Sequence, residues 1–260
     1  GGGAARARGA GQQPPAPEPR PDRVSFPDPR ASSGSVGVVA FHYPGQEEAW
    51  DRLCGAAFLG SAYDVSPGRI ELKARGLTGQ RSAHTFRNAE AAFEALRFWD
   101  VAARFEGLSG SQAAQEARGL SGSEDLSYGG FSTEWRAMRA VLEAKFAPPS
   151  PLARALAKTG DAFLLAHHGM TGFDEVWSDN CNGQGKNWLG LQLMLLRDQA
   201  MGTNAWTRYI EGLLDPDSGL PRGRQAESSW QETVQAAGKA LAQALAGPRP
   251  PEPAPAAQPR

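Results

Sequence analysis

The sequence predicts a mainly α protein in which a single helical domain with a few short strands lies between disordered termini. Apolar residues recur at helical spacing in the central part of the chain, as is typical of amphipathic helices that pack on a common core. Apolar runs of strand length are few and short. The prolines crowd toward the two ends, where few apolar residues are present to offset the entropy of ordering the chain.

The boundaries of the predicted elements rest on capping residues and on changes in the hydrophobic period. Asn88 is a fitting N-cap for the first long helix, and Ser132 or Thr133 caps the next one, which ends before Pro148. In chain order, the predicted elements are a strand at residues 36–41, a loop at 58–70, helices at 88–99, 133–146 and 151–159, a strand at 163–166, a loop at 177–187, and helices at 188–201 and 229–245.

Composition divides the chain into four parts. Residues 1–34 and 247–260 are predicted to be disordered tails rich in proline, residues 35–202 form the main domain, and residues 203–246 form a C-terminal helical extension. The proline runs in both tails have the composition of polyproline ligands for SH3 or WW partners, while a plain disordered tail is the simpler interpretation.

The charge balance argues against two classes of protein. With 27 basic and 28 acidic side chains, the chain resembles neither a polybasic nucleic-acid coat nor an acidic solvating tail. Cys54 and Cys181 are too few for a disulfide framework. No apolar run has the length of a transmembrane helix, so no membrane partner is expected. We expect an intracellular, cytoplasmic protein, with organellar targeting as the open alternative because the chain begins with Gly1.

Charged side chains lie close together on the first long helix. Glu90, Glu94 and Arg97 follow one another at helical spacing beside the apolar stripe, so they can share a site. The alternative is a solvated face, because a Glu–Arg pair at this spacing stabilises a helix by only about 0.2–0.5 kcal/mol and needs no function.

The loop at residues 177–187 combines glycines with a lysine just before a helix. Gly183, Gly185 and Lys186 lie where free backbone N–H groups and the helix dipole favour an anion, which predicts a phosphate ligand. A flexible connector is the alternative. The spacing matches neither a Walker A loop nor an EF-hand.

The histidines do not predict a metal site. His167 and His168 are adjacent, and neighbouring residues of a strand point to opposite faces, which argues against joint ligation. His42 and His84 are isolated and are interpreted as structural or exposed. Neither a G-x-S-x-G elbow nor an HExxH motif occurs, so the serine-hydrolase and zincin classes are set aside.

Five segments, in order and at fitting spacing, resemble the NADAR family, also called YbiA-like. The segments are FLGSAYD at residues 58–64, NAEAAFEALRFW at 88–99, EWRAMRAVLEAKF at 134–146, TGDAFLL at 159–165 and FDEVWSDNCNGQGKNWLGLQLMLLRD at 173–198. The resemblance extends over about residues 36–201 and leaves the tails and the last helix outside.

The resemblance implies a single orthogonal helical domain that cleaves N-glycosidic bonds and needs no cofactor. The substrate would be a phosphorylated ribosylamine intermediate of riboflavin synthesis, or ADP-ribosylated guanine, including guanine in nucleic acid. The functional residues of the family correspond to Glu90, Trp135 and Asp174. A ribosyl C–N bond breaks through an oxocarbenium-like transition state. One carboxylate is therefore expected to stabilise this charge and the other to activate water. Trp135 would stack on the base or sugar, with a core position as the alternative.

Further substrate contacts are expected from polar and aromatic residues of the matching segments and of the glycine loop. These residues are Ser61, Tyr63, Glu94, Arg97, Trp177, Asp179, Gly183, Gly185, Lys186 and Asn187.

The chain departs from the family pattern at several positions. It has Glu94 where glutamine is frequent, Arg97 in place of lysine, Ala166 where glutamate is frequent, and Ala62 in place of asparagine. Arg97 cannot form a Schiff base, since guanidinium stays protonated at neutral pH, whereas a carboxylate mechanism needs no lysine. Three functions therefore stay open: an N-glycosidase, a catalytically weak or inactive module that binds ADP-ribose or a nucleotide, and a helical interaction protein that uses its proline tails and last helix.

Overall fold

Two small β-sheets and eight α-helices make up residues 15–247, the part of the chain that the computed structural model describes. The strands are β1 (Ser25–Pro27), β2 (Ser35–Phe41), β3 (Ile70–Arg75), β4 (Arg81–Phe86) and β5 (Phe163–Ala166). The helices are α1 (Ala49–Cys54), α2 (Ala89–Leu96), α3 (Gly110–Gly119), α4 (Glu134–Lys145), α5 (Pro151–Lys158), α6 (Trp188–Met201), α7 (Ala205–Leu213) and α8 (Arg224–Ala246).

The prediction of a single, mainly α orthogonal helical domain is wrong, because sheets contribute to the core. The larger sheet has the order β1-β2-β5, with β1 antiparallel and β5 parallel to β2. Every residue of β5 is buried, so this sheet lies inside a layer of helices. Strands β3 and β4 form a separate antiparallel hairpin. Eight helices combined with one small mixed sheet and one antiparallel hairpin make an α+β architecture.

The hairpin was missed because its second strand carries almost no hydrophobic signal. The burial of β3 alternates residue by residue, as one buried face requires. In β4, with the sequence RSAHTF, only Phe86 is buried. A mostly exposed edge strand is polar on both faces and cannot be distinguished from a loop by its pattern.

The predicted caps and helices of the central chain are confirmed. The side chain of Asn88 accepts the N–H of Ala91 at 2.8 Å and caps α2, although the helix ends at Leu96 and a 3₁₀ segment, Trp99–Phe105, follows. Helices α4, α5 and α6 and strand β5 lie where they were predicted.

Helix α6 packs closely on β5 through Gly190. A Cβ at this position would overlap the carbonyl oxygen of Leu164 and the side chain of Asn187, so no larger residue fits without a shift. The first three turns of α6 are buried throughout, which makes it the central helix of the fold.

Both ends of the described chain pack on the same core. Residues 15–34 were predicted to be disordered, yet β1 pairs with β2 and Phe26 is buried. The predicted extension at residues 203–246 is likewise part of the core, because the rings of Trp206 and Trp230 lie 5.4 and 5.8 Å from Phe163. Residues 1–14 and 248–260 of the predicted tails lie outside the described residues. None of the helices within residues 15–247 has both the length and the apolar character that a bilayer crossing requires.

Candidate functional site

A cavity of about 360 Å³ opens where α2 faces the carboxyl ends of β2 and β5. Because these two strands are parallel, their carboxyl ends meet at one edge of the sheet, where α/β proteins commonly bind ligands. The cavity is lined by Phe41, His42, Ser61, Glu90, Phe93, Glu94, Met138, Ala166, His168, Phe173, Asp174, Trp177, Ser178 and Leu189. The structure thus brings together five of the predicted site residues: Ser61, Glu90, Glu94, Asp174 and Trp177.

Glu90 lies in the first turn of α2, where the Asn88 cap orients the helix end. Its backbone N–H donates to the carbonyl oxygen of Ser61 at 2.9 Å, which ties the helix start to the preceding loop. Burial raises the pKa of the Glu90 carboxyl to about 7; the Ser61 hydroxyl opposes this, while the negative charges of Glu94 and Asp174 add to it. Glu90 can therefore exchange a proton near neutral pH.

Asp174 reaches the cavity from the loop between β5 and α6. Its Oδ1 atom accepts the backbone N–H groups of Val176 and Trp177 at 3.2 and 2.8 Å. The Ser178 hydroxyl donates to the carbonyl oxygen of Asp174 at 2.7 Å. These bonds orient the carboxylate and hold it in place, although it comes from a loop.

Other predicted binding residues build this loop and lie outside the cavity lining. Asp179 is fully buried and accepts the N–H groups of His168 and Cys181 at 3.1 and 2.9 Å, and its Oδ2 lies 2.7 Å from Nδ1 of His167. Asn187 is also buried, and its amide bonds two backbone groups of β5 at 2.9 and 3.0 Å. Asp179 thus satisfies backbone groups of the loop, and Asn187 satisfies backbone groups of β5 that would otherwise be buried without partners.

Glu94 and Arg97 form the ion pair that their spacing predicts. Nη1 of Arg97 lies 3.0 Å from Oε2 of Glu94, and Nη2 lies 3.5 Å from Oε1 of Glu124. Burial raises the pKa of Glu94, and the Arg97 charge opposes the rise. Glu94 lines the cavity, whereas Arg97 is not among the lining residues and its guanidinium is engaged by two carboxylates.

In the phosphate cradle expected at Gly183, Gly185 and Lys186, two of the three backbone N–H groups already have acceptors within the protein. The N–H groups of Gly185 and Lys186 donate to carbonyl oxygens of the preceding loop at 3.1 and 2.9 Å. Gln231 of α8 donates to the carbonyls of Gly183 and Gly185. The loop folds back on itself and packs on α8, and none of the three residues lines the cavity.

Trp135 and Tyr63 also lie away from the cavity. Trp135 is buried in the core, where its Nε1 donates to the carbonyl of Pro216 at 3.1 Å and its ring crosses that of Trp188 at 5.0 Å. Tyr63 faces a second cavity beside the buried Lys145. The core position, which the sequence left as the alternative for Trp135, is the one that the structure has.

The sequence interpretation missed two histidines and a phenylalanine of the cavity. His42 directly follows Phe41, and Phe41 pairs with Ala166 in the parallel register, so His42 and His168 come after neighbouring strand ends. Burial, together with nearby histidines, lowers the pKa of His42 to about 4, which leaves it neutral at pH 7. The sequence signal that could have identified His42 and His168 is the presence of histidine shortly after each of the two apolar strand segments, β2 and β5. Phe173 gave no such signal.

Fold and cavity together define a class, an α+β protein whose acidic cavity lies at the carboxyl ends of parallel strands and is walled by aromatic rings. Over 68 residues, 26% of this chain, the sequence is 43% identical to N-glycosidase YbiA of Shigella boydii and 41% identical to N-glycosidase YbiA of Escherichia coli. The sequence is also 39% identical over 62 residues to riboflavin biosynthesis protein VVA0006 of Vibrio vulnificus. This match covers 16% of the length of the Vibrio protein. The resemblance to the YbiA-like (NADAR) family is confirmed over this part of the chain.

The coverage of these relatives is partial. The chain spans about two fifths of the length of the YbiA proteins, 41% in each case. The NMR structure of E. coli YbiA superposes on this chain with a TM-score of 0.45 and a sequence identity of 24%. The match covers 63% of this chain and 84% of the YbiA chain. No protein-family profile matches the sequence.

Proposed function

We propose that this protein hydrolyses the N-glycosidic bond between a ribosyl group and a nitrogen base. The observation that carries the proposal is the meeting of Glu90 and Asp174 in one cavity, although 83 positions of the chain separate 90 from 174. Glycosidic bonds are commonly cleaved by a pair of carboxyl groups that flank the scissile bond.

The charge of the cavity suits the transition state of this reaction. As the C–N bond breaks, positive charge develops on the anomeric carbon and the ring oxygen. Among the described residues that line the cavity are three acids, Glu90, Glu94 and Asp174, and none is lysine or arginine. Because carboxylates fixed in a partly buried site interact strongly with charge that appears during reaction, they favour the transition state over the neutral sugar.

The two carboxyl groups have different surroundings, which supports different roles. Asp174 is oriented by two backbone N–H groups and supplies a fixed negative charge. Glu90 has a pKa of about 7 and therefore acts as the general base. It takes a proton from water as the water oxygen bonds to the anomeric carbon and the C–N bond breaks, and the departing nitrogen takes up a proton from solvent. Base catalysis of this kind contributes about 10² to 10⁴ in rate.

The acidic lining also bears on how a phosphorylated substrate would bind. A phosphate placed beside three carboxyl groups would be repelled, so the sugar enters the cavity and the phosphate stays at the mouth. Candidate substrates are the phosphorylated ribosylamine intermediate of riboflavin synthesis and ADP-ribosylated guanine. The proposed reaction does not use a lysine, so Arg97 in place of the family lysine is compatible with it.

Incubation with each candidate substrate tests the proposal. The wild-type protein is expected to release the base, and Glu90→Gln and Asp174→Asn are expected to reduce kcat by at least about 100-fold. Glu71→Gln, at an exposed strand position, serves as the matched control and should keep full activity. Equal activity in wild type and both cavity variants would refute the assignment. Binding without base release would instead support the nucleotide-binding module.

A further inference from the structure

Three rings follow one another along one wall of the cavity. The rings of His42 and His168 meet edge to face, with centroids 4.8 Å apart. Phe173 stacks parallel on His168, with centroids 5.6 Å apart and 8° between the ring planes. All three side chains line the cavity, and together they form the aromatic wall.

Phe173 differs from the other two because it is 70% exposed. His168 lies beside the ring, and most of the Phe173 side chain is left open to solvent. Among the exposed large apolar residues of the described chain, Phe173 is distinguished by lining this cavity, so its ring is accessible to a ligand bound there.

The position of Phe173 relative to the carboxyl groups is well defined. It directly precedes Asp174, whose carboxylate is held by the N–H groups of Val176 and Trp177. The ring is also supported from behind by His168, whose own N–H is bonded to the buried Asp179. The contact with His168 therefore orients the Phe173 ring before any ligand arrives.

We propose that Phe173, supported by His168, is the stacking platform for a planar heterocyclic base at the leaving-group position. The proposal rests on the proposed N-glycosidase function, which places the sugar between Glu90 and Asp174. The base attached to that sugar then extends toward the aromatic wall. Every nucleobase has a π-face that stacks on an aromatic side chain, whereas a sugar or a phosphate has none. Phe173 is thus a specificity-determining residue that selects aromatic bases as leaving groups.

Calorimetric titration with two matched ligands tests this role. Pseudouridine 5′-phosphate carries a base on a carbon–carbon glycosidic bond that the hydrolysis cannot cleave, and ribose 5-phosphate lacks the base. The wild-type protein is expected to bind pseudouridine 5′-phosphate about 5- to 150-fold more tightly than ribose 5-phosphate. Phe173→Ala is expected to remove this preference without changing the affinity for ribose 5-phosphate.

Further variants separate stacking from apolar bulk and from general damage. Phe173→Trp keeps a π-face and should retain the preference, while Phe173→Leu should lose most of it. Leu77→Ala is the matched control, since Leu77 is equally exposed, at 70%, and does not line the cavity. All these positions are at the surface, so folding of the variants is not at risk.

Three results would overturn the platform. In the first, the wild-type protein binds the two ligands equally well. In the second, Phe173→Ala keeps the preference for pseudouridine 5′-phosphate or loses affinity for both ligands equally. In the third, Phe173→Leu retains the preference as fully as Phe173→Trp. The proposed hydrolysis is judged separately. If the protein releases no base but shows the Phe173-dependent preference, the N-glycosidase assignment fails and the platform remains. If hydrolysis depends on Glu90 but the Phe173-dependent preference is absent, the platform fails and the N-glycosidase assignment remains.

Discussion

Replacing Glu90 by glutamine is expected to stabilise the fold at neutral and alkaline pH. Burial raises the pKa of Glu90 from an ordinary value of 4.5 to about 7. Below pH 4.5 Glu90 is protonated in both the folded and the unfolded state, so its burial does not lower the free energy of unfolding through ionisation. As the pH rises from 4.5 to about 7, the unfolded state ionises first and stability falls, and above about 7 the full cost is present. At about 1.4 kcal/mol for each pH unit between the two pKa values, this cost is about 3 kcal/mol.

Urea unfolding followed by tryptophan fluorescence measures this effect. The free energy of unfolding of Glu90→Gln minus that of wild type should be about 3 kcal/mol larger near pH 8 than near pH 4.5. Glu71→Gln, whose side chain is 59% exposed, should show no such change. If the Glu90→Gln difference is the same at both pH values, or if the variant is less stable than wild type near pH 8, then Glu90 is not held in a desolvated, acid-rich site. The argument for its role as a base would then fail.

Three further outcomes are expected. The value of kcat/KM should fall as the pH drops below about 7, because Glu90 must be ionised to accept a proton; activity that instead falls as the pH rises above 7 would contradict the base role. Trp135→Phe should lower the free energy of unfolding by about 1 kcal/mol through loss of its hydrogen bond to Pro216 and leave kcat/KM unchanged. A large loss of kcat/KM at an unchanged melting temperature would show that Trp135 contributes directly to activity. Gly190→Ala should lower the free energy of unfolding by about 1–3 kcal/mol, since its Cβ overlaps the Leu164 carbonyl; an unchanged thermal unfolding curve would show that α6 does not pack as closely on β5 as described.

Helices with local start and stop signals were predictable from the sequence. Helix α4 has Thr133 as its N-cap and an apolar stripe on one face, and α5 has Ser150 as its cap and proline at its first position. These signals act within a few residues of the chain. Helices α1, α3 and α7 were not predicted as separate elements, although α3 begins with a capping box of Ser109 and Gln112 and α7 has apolar residues at helical spacing.

The candidate site was predictable only in part. The family resemblance pointed to Glu90 and Asp174, and the helical spacing pointed to Glu94. The same reasoning assigned Trp135 and Lys186 to the substrate, because residue type alone does not show whether a tryptophan faces a core or a cavity, or whether a loop lysine faces the site. The pairing of β2 with β5, which brings His42 beside His168, depends on a contact between distant parts of the chain.

The sequence by itself determined the main helices, their caps and the acidic character of α2, because these properties depend on neighbours within about one or two helical turns. Only the tertiary structure decided that Asp174 and Glu90 line one cavity, that the glycine loop packs on α8, and that Phe173 remains exposed beside the cavity. Such outcomes depend on which buried surfaces meet, and burial in turn sets the pKa of Glu90. The chemistry of the proposed site therefore follows from packing between segments that are far apart in the chain.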